Sequence, residues 1–314
     1  MMEPSAGDQN PTPSDYDRLL RLIESQHRIL ETQSRNIARL QSQSLEQSMM
    51  LEVLGRIELR ELLVEVRSVI QSRQLTMMET MSQLVQGKSI ARWGDGEVKL
   101  MLQPEFDLMY QKSNPSLAQD LRDLLTSYES SSDRLLLALP TVFTTRLWMG
   151  IWSENWYALA PLLRASKALW GNTHISRPPF FQKHGVDAVA AWRRVWEGKR
   201  ICVVAGRGSR FELIPELFDN VDSVIRVDSE PTDAYATLPE LKKRLRDVGD
   251  ADLFLLALGP SGTVMAGYLA SEEGGRHQAI DIGHLSSSYA NVFKGGKIPE
   301  QLPQKSSNTA GPRP

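Results

Sequence analysis

The chain has 314 residues, of which 41% are hydrophobic and 24% are charged, and this composition indicates a soluble globular protein with one large or two modest folded units. Its formal net charge of -2 gives no global preference for nucleic acid or for an anionic membrane, so neither partner is expected. The single cysteine, Cys202, excludes an internal disulfide, and without a leader pattern or a membrane-spanning run of apolar residues a cytoplasmic location is expected.

The first patterned segment is a heptad repeat that follows residues 1–14, which are rich in proline and serine and are predicted to be disordered. From Tyr16 apolar residues recur at heptad spacing without an intervening proline. This pattern predicts a coiled-coil helix at residues 15–75 and hence a homo-oligomer, with a domain boundary between Gln71 and Met77. A long helix folded back on the next domain is the alternative, because periodicity does not identify the partner. The two series of seam residues are Tyr16, Ile23, Leu30, Ile37, Ser44 and Leu51, and Leu19, Gln26, Gln33, Leu40, Gln47 and Leu54.

Residues 76–295 alternate between helical and strand patterns, and residues 296–314, which lack a pattern, are predicted to form a disordered tail. The strand runs are short and rich in Leu, Val and Ile, as expected for strands covered on both faces. The predicted fold class is therefore α/β and Rossmann-like, with a largely parallel sheet that binds ligands at the carboxyl ends of its strands. Strands are predicted at 134–139, 200–205, 223–227, 252–258 and 278–282, and helices at 116–128, 143–165, 186–197, 210–218, 239–248 and 261–271.

An apolar run that begins at Ser89 ends in an acidic loop that contains glycine. Asp95 and Glu97 lie two residues apart beside Arg92, a pattern suited to holding Mg or Mn on a phosphorylated ligand. The glycines of this loop, Gly94 and Gly96, would let the backbone approach that ligand closely. A solvated surface turn is the alternative interpretation.

Two glycine-containing loops follow predicted strands. Ser209 and Arg210 stand at a strand-to-helix junction, where they would donate hydrogen bonds to a phosphate or complete a tight turn. Phe211 occupies the third glycine position of the dinucleotide fingerprint, which argues against a Rossmann dehydrogenase. Gly259 and Pro260 open the second loop, with capping of the following helix by Ser261 or Thr263 as the alternative.

Asp281 and His284 lie at the end of the last predicted strand. They are candidates for a base with its orienting group, for metal ligands, or for a structural hydrogen-bonded pair. Arg177 precedes a proline, which would hold it in an extended segment able to bind phosphate or to form an ion pair. A stripe of tryptophans at every fourth residue fits either sugar stacking or, more often, a helix core; it consists of Trp148, Trp152 and Trp156.

The order of these loops resembles that of the GT-D glycosyltransferases, a bacterial family first described as a domain of unknown function. The resemblance runs from about Met77 to Phe293, while Trp93 and the acidic loop 227–234 depart from the family pattern. It implies a Rossmann-like domain that transfers a sugar from a nucleotide diphosphate donor, typically a UDP-sugar, to an acceptor hydroxyl. In that family the Asp-x-Glu motif, here Asp95 and Glu97, is tied to the metal and the donor diphosphate. The matching motifs are Arg92-Trp93-Gly94-Asp95-Gly96-Glu97, Ser176-Arg177-Pro178, Trp196-Glu197-Gly198, Gly208-Ser209-Arg210, Leu217-Phe218-Asp219-Asn220, Ala257-Leu258-Gly259-Pro260 and Asp281-Ile282-Gly283-His284.

Together these patterns predict a metal-dependent glycosyltransferase, in the hexosyltransferase class, that acts on a protein or glycan acceptor. Asp281 or His284 would serve as the base on the acceptor hydroxyl. A non-catalytic, nucleotide-binding coiled-coil scaffold and a nucleotide phosphohydrolase are the alternatives. The residues expected to bind the donor are Arg92, Gly94, Gly96, Arg177, Ser209, Arg210, Gly259 and Pro260, with Asp95 and Glu97 on the metal.

Overall fold

The computed structural model describes residues 13–127, 134–167, 169–209 and 211–297. The chain divides into two units, Met1–Glu58 and Leu59–Pro314. The predicted disordered ends, 1–14 and 296–314, lie almost entirely outside the described residues. Within the described part of the chain, no helix combines the length and the apolar character that crossing a membrane requires.

The first unit is one helix, α1 (Pro13–Glu58), of 46 residues. At 1.5 Å per residue it is roughly 70 Å long. Its described seam side chains are exposed, among them Ile23 at 54%, Leu30 at 63% and Ile37 at 56%. Pairs of opposite charge four residues apart, such as Glu52 and Arg56, lie along the same helix. The helix therefore presents an apolar seam between charged faces, as the heptad pattern predicted.

The second unit is built on a seven-stranded sheet with the order β3-β2-β1-β7-β6-β4-β5. All of its strand pairings are parallel, which confirms the predicted fold class. The two-residue strand β3 has too little apolar sequence to have been predicted. The strands are β1 (Ser89–Arg92), β2 (Leu135–Leu139), β3 (Gly171–Asn172), β4 (Arg200–Gly206), β5 (Ser223–Ser229), β6 (Leu253–Ala257) and β7 (Gln278–Asp281).

Helices cover both faces of this sheet, and alternate strand residues enter two separate cores. In β2, for example, Leu135 and Leu137 join one core, whereas Leu136 joins the other. The larger core contains α2, α4, α5, α6, α9 and α10, and the smaller core contains α3, α7, α8 and α11. The helices are α2 (Arg60–Gln71), α3 (Met77–Val85), α4 (Asp95–Leu102), α5 (Pro115–Ser127), α6 (Arg146–Ala165), α7 (Pro178–Trp196), α8 (Pro215–Phe218), α9 (Leu238–Arg246), α10 (Pro260–Ala270) and α11 (Leu285–Phe293).

The division between the units falls at Glu58, earlier than the boundary expected from the sequence. Helix α2 belongs to the second unit because it packs against α6 and buries Leu63, Val66 and Ile70 in the larger core. The heptad register of α1 would place Glu61 and Glu65 at seam positions here, so the apolar face of α2 is a separate stripe that faces the core.

Candidate active site

The site is centred on the carboxyl ends of β1 and β7, which are neighbours in the sheet. Ile90 of β1 pairs with Ile280 of β7, and this register brings the next residues of both strands to the same edge. There Nη2 of Arg92 donates to Oδ1 of Asp281 at 2.7 Å. The two residues are only 8% and 3% exposed, so they form a buried ion pair.

Most of the other polar atoms of this pair are also bonded within the described part of the protein, whereas Nε of Arg92 is buried without a hydrogen-bond partner there. Nη1 of Arg92 donates to the carbonyl of Thr173 at 3.3 Å and to Oγ of Ser176 at 2.5 Å. The hydroxyl of Thr263 donates to the carbonyl of Arg92 at 2.9 Å and lies 3.4 Å from Oδ2 of Asp281. Arg92 thus links the loops after β1, β3 and β7. Its direct contact with the diphosphate stays a prediction.

Gly283 makes room for this ion pair. Its φ of +47° lies in the left-handed region that favours glycine. A Cβ atom added there would lie 2.2 Å from Nη2 of Arg92. The glycine of the Asp281-Ile282-Gly283-His284 motif is therefore required by the close approach of the guanidinium.

The acidic motif forms the first turn of α4. Gly94 is the residue before the helix, and its N–H donates to Oε2 of Glu97 at 2.8 Å. Asp95 is exposed and Glu97 is half-buried, whereas Gly96 is buried against Leu108. Asp95 is therefore the more accessible carboxylate of the turn, while Gly96 packs against Leu108.

Negative charge is in excess around Glu97. Desolvation, followed by the charges of Asp281 and Asp95, raises the pKa of Glu97 to about 7, although the backbone N–H bonds oppose the shift. A cation next to these carboxylates would offset that repulsion.

Arg177 and His174 stand beside the acidic turn. Burial and the charge of Arg92 lower the pKa of Arg177, while the charges of Asp95 and Glu97 raise it. Burial, then the charges of Arg177 and Arg92, lower the pKa of His174 to about 3. Nδ1 of His174 accepts the N–H of Thr141 at 3.1 Å. Near neutral pH His174 is therefore uncharged, and Arg177 is the cation that faces Asp95 and Glu97.

Asp281 and His284 occupy different environments. The carboxylate of Asp281 is committed to Arg92, a position better suited to orienting the arginine than to removing a proton from an acceptor. His284 is half-exposed at the start of α11, and its carbonyl accepts the N–H of Ser288 at 2.9 Å. Of the two predicted bases, His284 is the more accessible.

The loop that begins with Gly259 joins the site from β6. Gly259 has a φ of +57°, and an added Cβ would lie 2.6 Å from Cε2 of Tyr110. Pro260 is buried at the first position of α10, and no described side chain caps that helix. Ser261 and Thr263 do not cap it as the alternative expected, because their hydroxyls donate to Gln111 and Arg92.

The loop after β4 is not brought to the acidic turn. In the sheet β4 lies three strands from β1, roughly 14 Å at the usual strand spacing. The following helix starts at Pro215, not at residue 210, so Ser209 is not at a helix N-terminus. Instead Oγ of Ser209 accepts the N–H of Phe211 at 3.1 Å. Arg210 lies outside the described residues.

The tryptophan stripe belongs to the core. Trp148, Trp152 and Trp156 are 9%, 1% and 4% exposed, and they line the face of α6 that packs into the larger core. Neighbouring rings contact each other with centroids 5.2 and 6.4 Å apart. The sugar-stacking interpretation of this stripe is therefore wrong.

Sequence reasoning missed two residues of the site, Tyr110 and Gln111. Both lie in the irregular segment between α4 and α5, where no periodicity or motif distinguishes them from other polar residues. Gln111 is only 1% exposed. Its burial, which only the tertiary structure reveals, marks this segment as part of the site.

A divalent cation fits this arrangement only if substrate completes its coordination shell. No cluster of three or more Asp, Glu, His or Cys side chains suited to a metal occurs in the described ranges. Mg is, however, commonly held by one or two carboxylates together with substrate phosphates and water. Asp95, which is exposed, and Glu97, beside which other carboxylates lie, are the two carboxylates available for such a site.

Comparison with known sequences agrees with this geometry. A family model described as "Glycosyltransferase GT-D fold" matches residues 90–310. A probable glycosyl transferase Gly of Streptococcus gordonii is 32% identical over 249 residues, which are 76% of this chain and 34% of that protein. The glycosyltransferase GlyD of Streptococcus pneumoniae is 26% identical over 267 residues, 82% of this chain and 32% of that protein. The chain thus spans about a third of the length of these curated relatives.

Solved structures share the same architecture. One of them is described as a new glycosyltransferase (domain of unknown function 1792) from Streptococcus sanguinis. It is 30% identical to this chain with a TM-score of 0.60, and the match covers 71% of this chain and 85% of that one. Another, described as domain of unknown function 1792 with a distinct glycosyltransferase fold, is 25% identical with a TM-score of 0.63 over 75% of this chain and 87% of that one. With the matched family model covering most of the second unit, the chain belongs to the glycosyltransferase GT-D fold family.

Proposed function

We propose that this protein transfers a sugar from a nucleotide diphosphate donor, a UDP-sugar, to a hydroxyl group of a protein or glycan acceptor. The observation that carries the proposal is the meeting of Asp95, Glu97 and Arg177 at the carboxyl edge of a parallel sheet in a GT-D family chain. This edge is where open α/β sheets bind ligands. The N-termini of α4, α7, α10 and α11 follow strands there, and their dipoles favour a diphosphate.

Asp95 and Glu97 would hold a divalent metal, Mn or Mg, on the donor diphosphate. When bound, the metal would supply positive charge to the departing nucleotide diphosphate. Arg177 would add a second positive charge on the same group. Arg92 contributes indirectly, because its bonds to Asp281, Thr173 and Ser176 order the surrounding loops.

The acceptor hydroxyl must lose a proton as its oxygen attacks the sugar. His284 is the accessible candidate for that base at the end of β7. Asp281 serves the site by orienting Arg92.

The test is to incubate the full chain with a panel of UDP-sugars in the presence of Mn and to measure binding by calorimetry and sugar release by chromatography. We expect one donor to bind in a metal-dependent manner and to be turned over, with EDTA abolishing both. Tight binding of UDP without sugar release under any acceptor would indicate a scaffold. Release of inorganic phosphate from the nucleotide would indicate a phosphohydrolase. No binding of any nucleotide sugar would refute the proposal.

We also propose that α1 assembles the protein into a homo-oligomer through its apolar seam. Leu30→Glu combined with Ile37→Glu should shift the mass measured by light scattering to that of one chain, 35.3 kDa, because charges in the seam face a partner helix. Ser25→Glu with Ser42→Glu is the matched control, since it adds the same charge at two residues that lie opposite the seam on the same helix. If the seam variant keeps the mass of the wild type, α1 does not mediate assembly.

A further inference from the structure

Tyr110 is held in place by its neighbours but is not fully buried. It lies on the segment between α4 and α5, and its side chain stays 37% exposed. The carbonyl of Tyr110 accepts the N–H of Asp233 at 2.7 Å. Its ring packs against Gly259, where only a residue without Cβ leaves room for it. Two separate loops of the domain thus fix both the backbone and the ring of this tyrosine.

The next residue, Gln111, holds the same segment in place through hydrogen bonds of its side chain. Its Nε2 donates to Oδ1 of Asp233 at 2.5 Å, and its Oε1 accepts the hydroxyl of Ser261 at 3.1 Å and the N–H of Tyr235 at 3.4 Å. A buried amide bonded on both sides specifies one geometry, since any shift would leave polar atoms unpaired. Gln111 therefore acts as a positioning residue for Tyr110.

The segment that carries Tyr110 packs on the acidic turn, where Leu108 lies against Gly96. Partial burial raises the pKa of Tyr110, and the charges of Glu97, Asp95 and Asp281 raise it further, while that of Arg177 opposes the shift. The hydroxyl therefore stays protonated at physiological pH, and the ring lies among the groups proposed to hold the metal and the diphosphate. An aromatic ring fixed in such a place offers an apolar face to a ligand at little cost in side-chain entropy.

We infer that Tyr110 contacts the donor at the junction of the diphosphate and the transferred sugar, with its ring against the sugar. The inference rests on the proposed function. The sugar is bonded directly to the diphosphate, whereas the uracil base is separated from it by the ribose. A ring beside the carboxylates of the metal site is thus nearer to the sugar than to the base.

The test compares Tyr110→Leu and Tyr110→Phe with the wild type, using calorimetric titration of UDP and of UDP-sugars with Mn. Tyr157→Leu is the matched control, because Tyr157 is 95% exposed on α6. Tyr110→Leu should weaken binding of the UDP-sugar about tenfold through loss of ring contact and leave UDP affinity within about twofold. Tyr110→Phe, which keeps the ring, should bind the UDP-sugar within about threefold of the wild type.

Each outcome separates this inference from the proposed function. If Tyr110→Leu loses as much affinity for UDP as for the UDP-sugar, the ring contacts the nucleotide and the inference is overturned. An unchanged affinity of Tyr110→Leu for the UDP-sugar would also overturn it. So would an equal loss of UDP-sugar affinity in Tyr110→Leu and Tyr110→Phe. In each of those cases the wild type still binds the donor, so the proposed function stands. A wild type that binds no nucleotide sugar would overturn both. Unfolding followed by tryptophan fluorescence should show the same midpoint for all four proteins.

Discussion

Asp281→Asn is expected to lower the free energy of unfolding of the second unit by about 3 to 5 kcal/mol. The substitution keeps the shape and one acceptor oxygen of the side chain but leaves the guanidinium of Arg92 buried without its opposite charge. Removing one partner of a buried ion pair costs more than the pair itself contributes, because the remaining charge keeps its desolvation penalty. Activity should fall with stability, since the loops after β1, β3 and β7 lose their shared anchor.

Urea unfolding followed by tryptophan fluorescence measures the free energy of unfolding of Asp281→Asn and of the wild type. The protein has seven tryptophans, from Trp93 to Trp196, and every one of them lies in the second unit, so the signal is independent of α1. Glu273→Gln is the control, because its ion pair with Arg246 is exposed and should contribute less than about 1 kcal/mol. A loss below about 1 kcal/mol for Asp281→Asn would contradict the structural role assigned to the pair.

Gly283→Ala tests the Arg92–Asp281 ion pair without changing either of its residues. The new Cβ would displace Nη2 of Arg92, so this variant should also be destabilised although no charge is removed. Alanine at a φ of +47° costs about 1 to 2 kcal/mol by itself, so a larger loss in urea unfolding would report the displacement of the guanidinium.

Asp95→Asn and Glu97→Gln are each expected to reduce kcat/KM for sugar transfer by about 100-fold or more, which corresponds to about 2.7 kcal/mol of transition-state stabilisation. Each change removes a negative charge from the turn proposed to hold the metal on the donor diphosphate. Calorimetry should show weaker binding of Mn in the presence of UDP for both variants.

The fold should survive both changes. A glutamine at position 97 can still accept the N–H of Gly94, as glutamine does in capping boxes, and Asp95 is exposed. Glu105→Gln is the matched control, because Glu105 is an exposed carboxylate shortly after α4. Full activity in Asp95→Asn and Glu97→Gln would rule out a metal at this turn, whereas equal losses in Glu105→Gln would point to a general effect of charge.

Much of the fold is encoded locally. The apolar runs that became β2, β4, β6 and β7 are short and flanked by helical patterns, so their burial on both faces follows from composition. The run that became β5 has the same character, but β5 is the edge strand and leaves Val224 and Arg226 exposed. The two-residue strand β3 and the four-residue helix α8 were missed or misplaced, because such short elements are fixed by neighbouring contacts. Past Gly55 the heptad pattern gives way to a broader apolar stripe, and packing against α6 shows that the helix with this stripe, α2, belongs to the second unit.

By itself the sequence determined the parallel α/β class, the heptad seam of α1 and the acidic turn at Asp95 and Glu97, because each depends on residues close together in the chain. Only the tertiary structure decided which distant residues join that turn. Arg92 and Asp281 are 189 positions apart, and Gln111 and Ser261 are 150 apart. These pairs depend on strand order and burial, which no local pattern records. The structure accordingly pairs Arg92 with Asp281, separates the loop after β4 from the acidic turn, and packs the segment that carries Tyr110 against that turn.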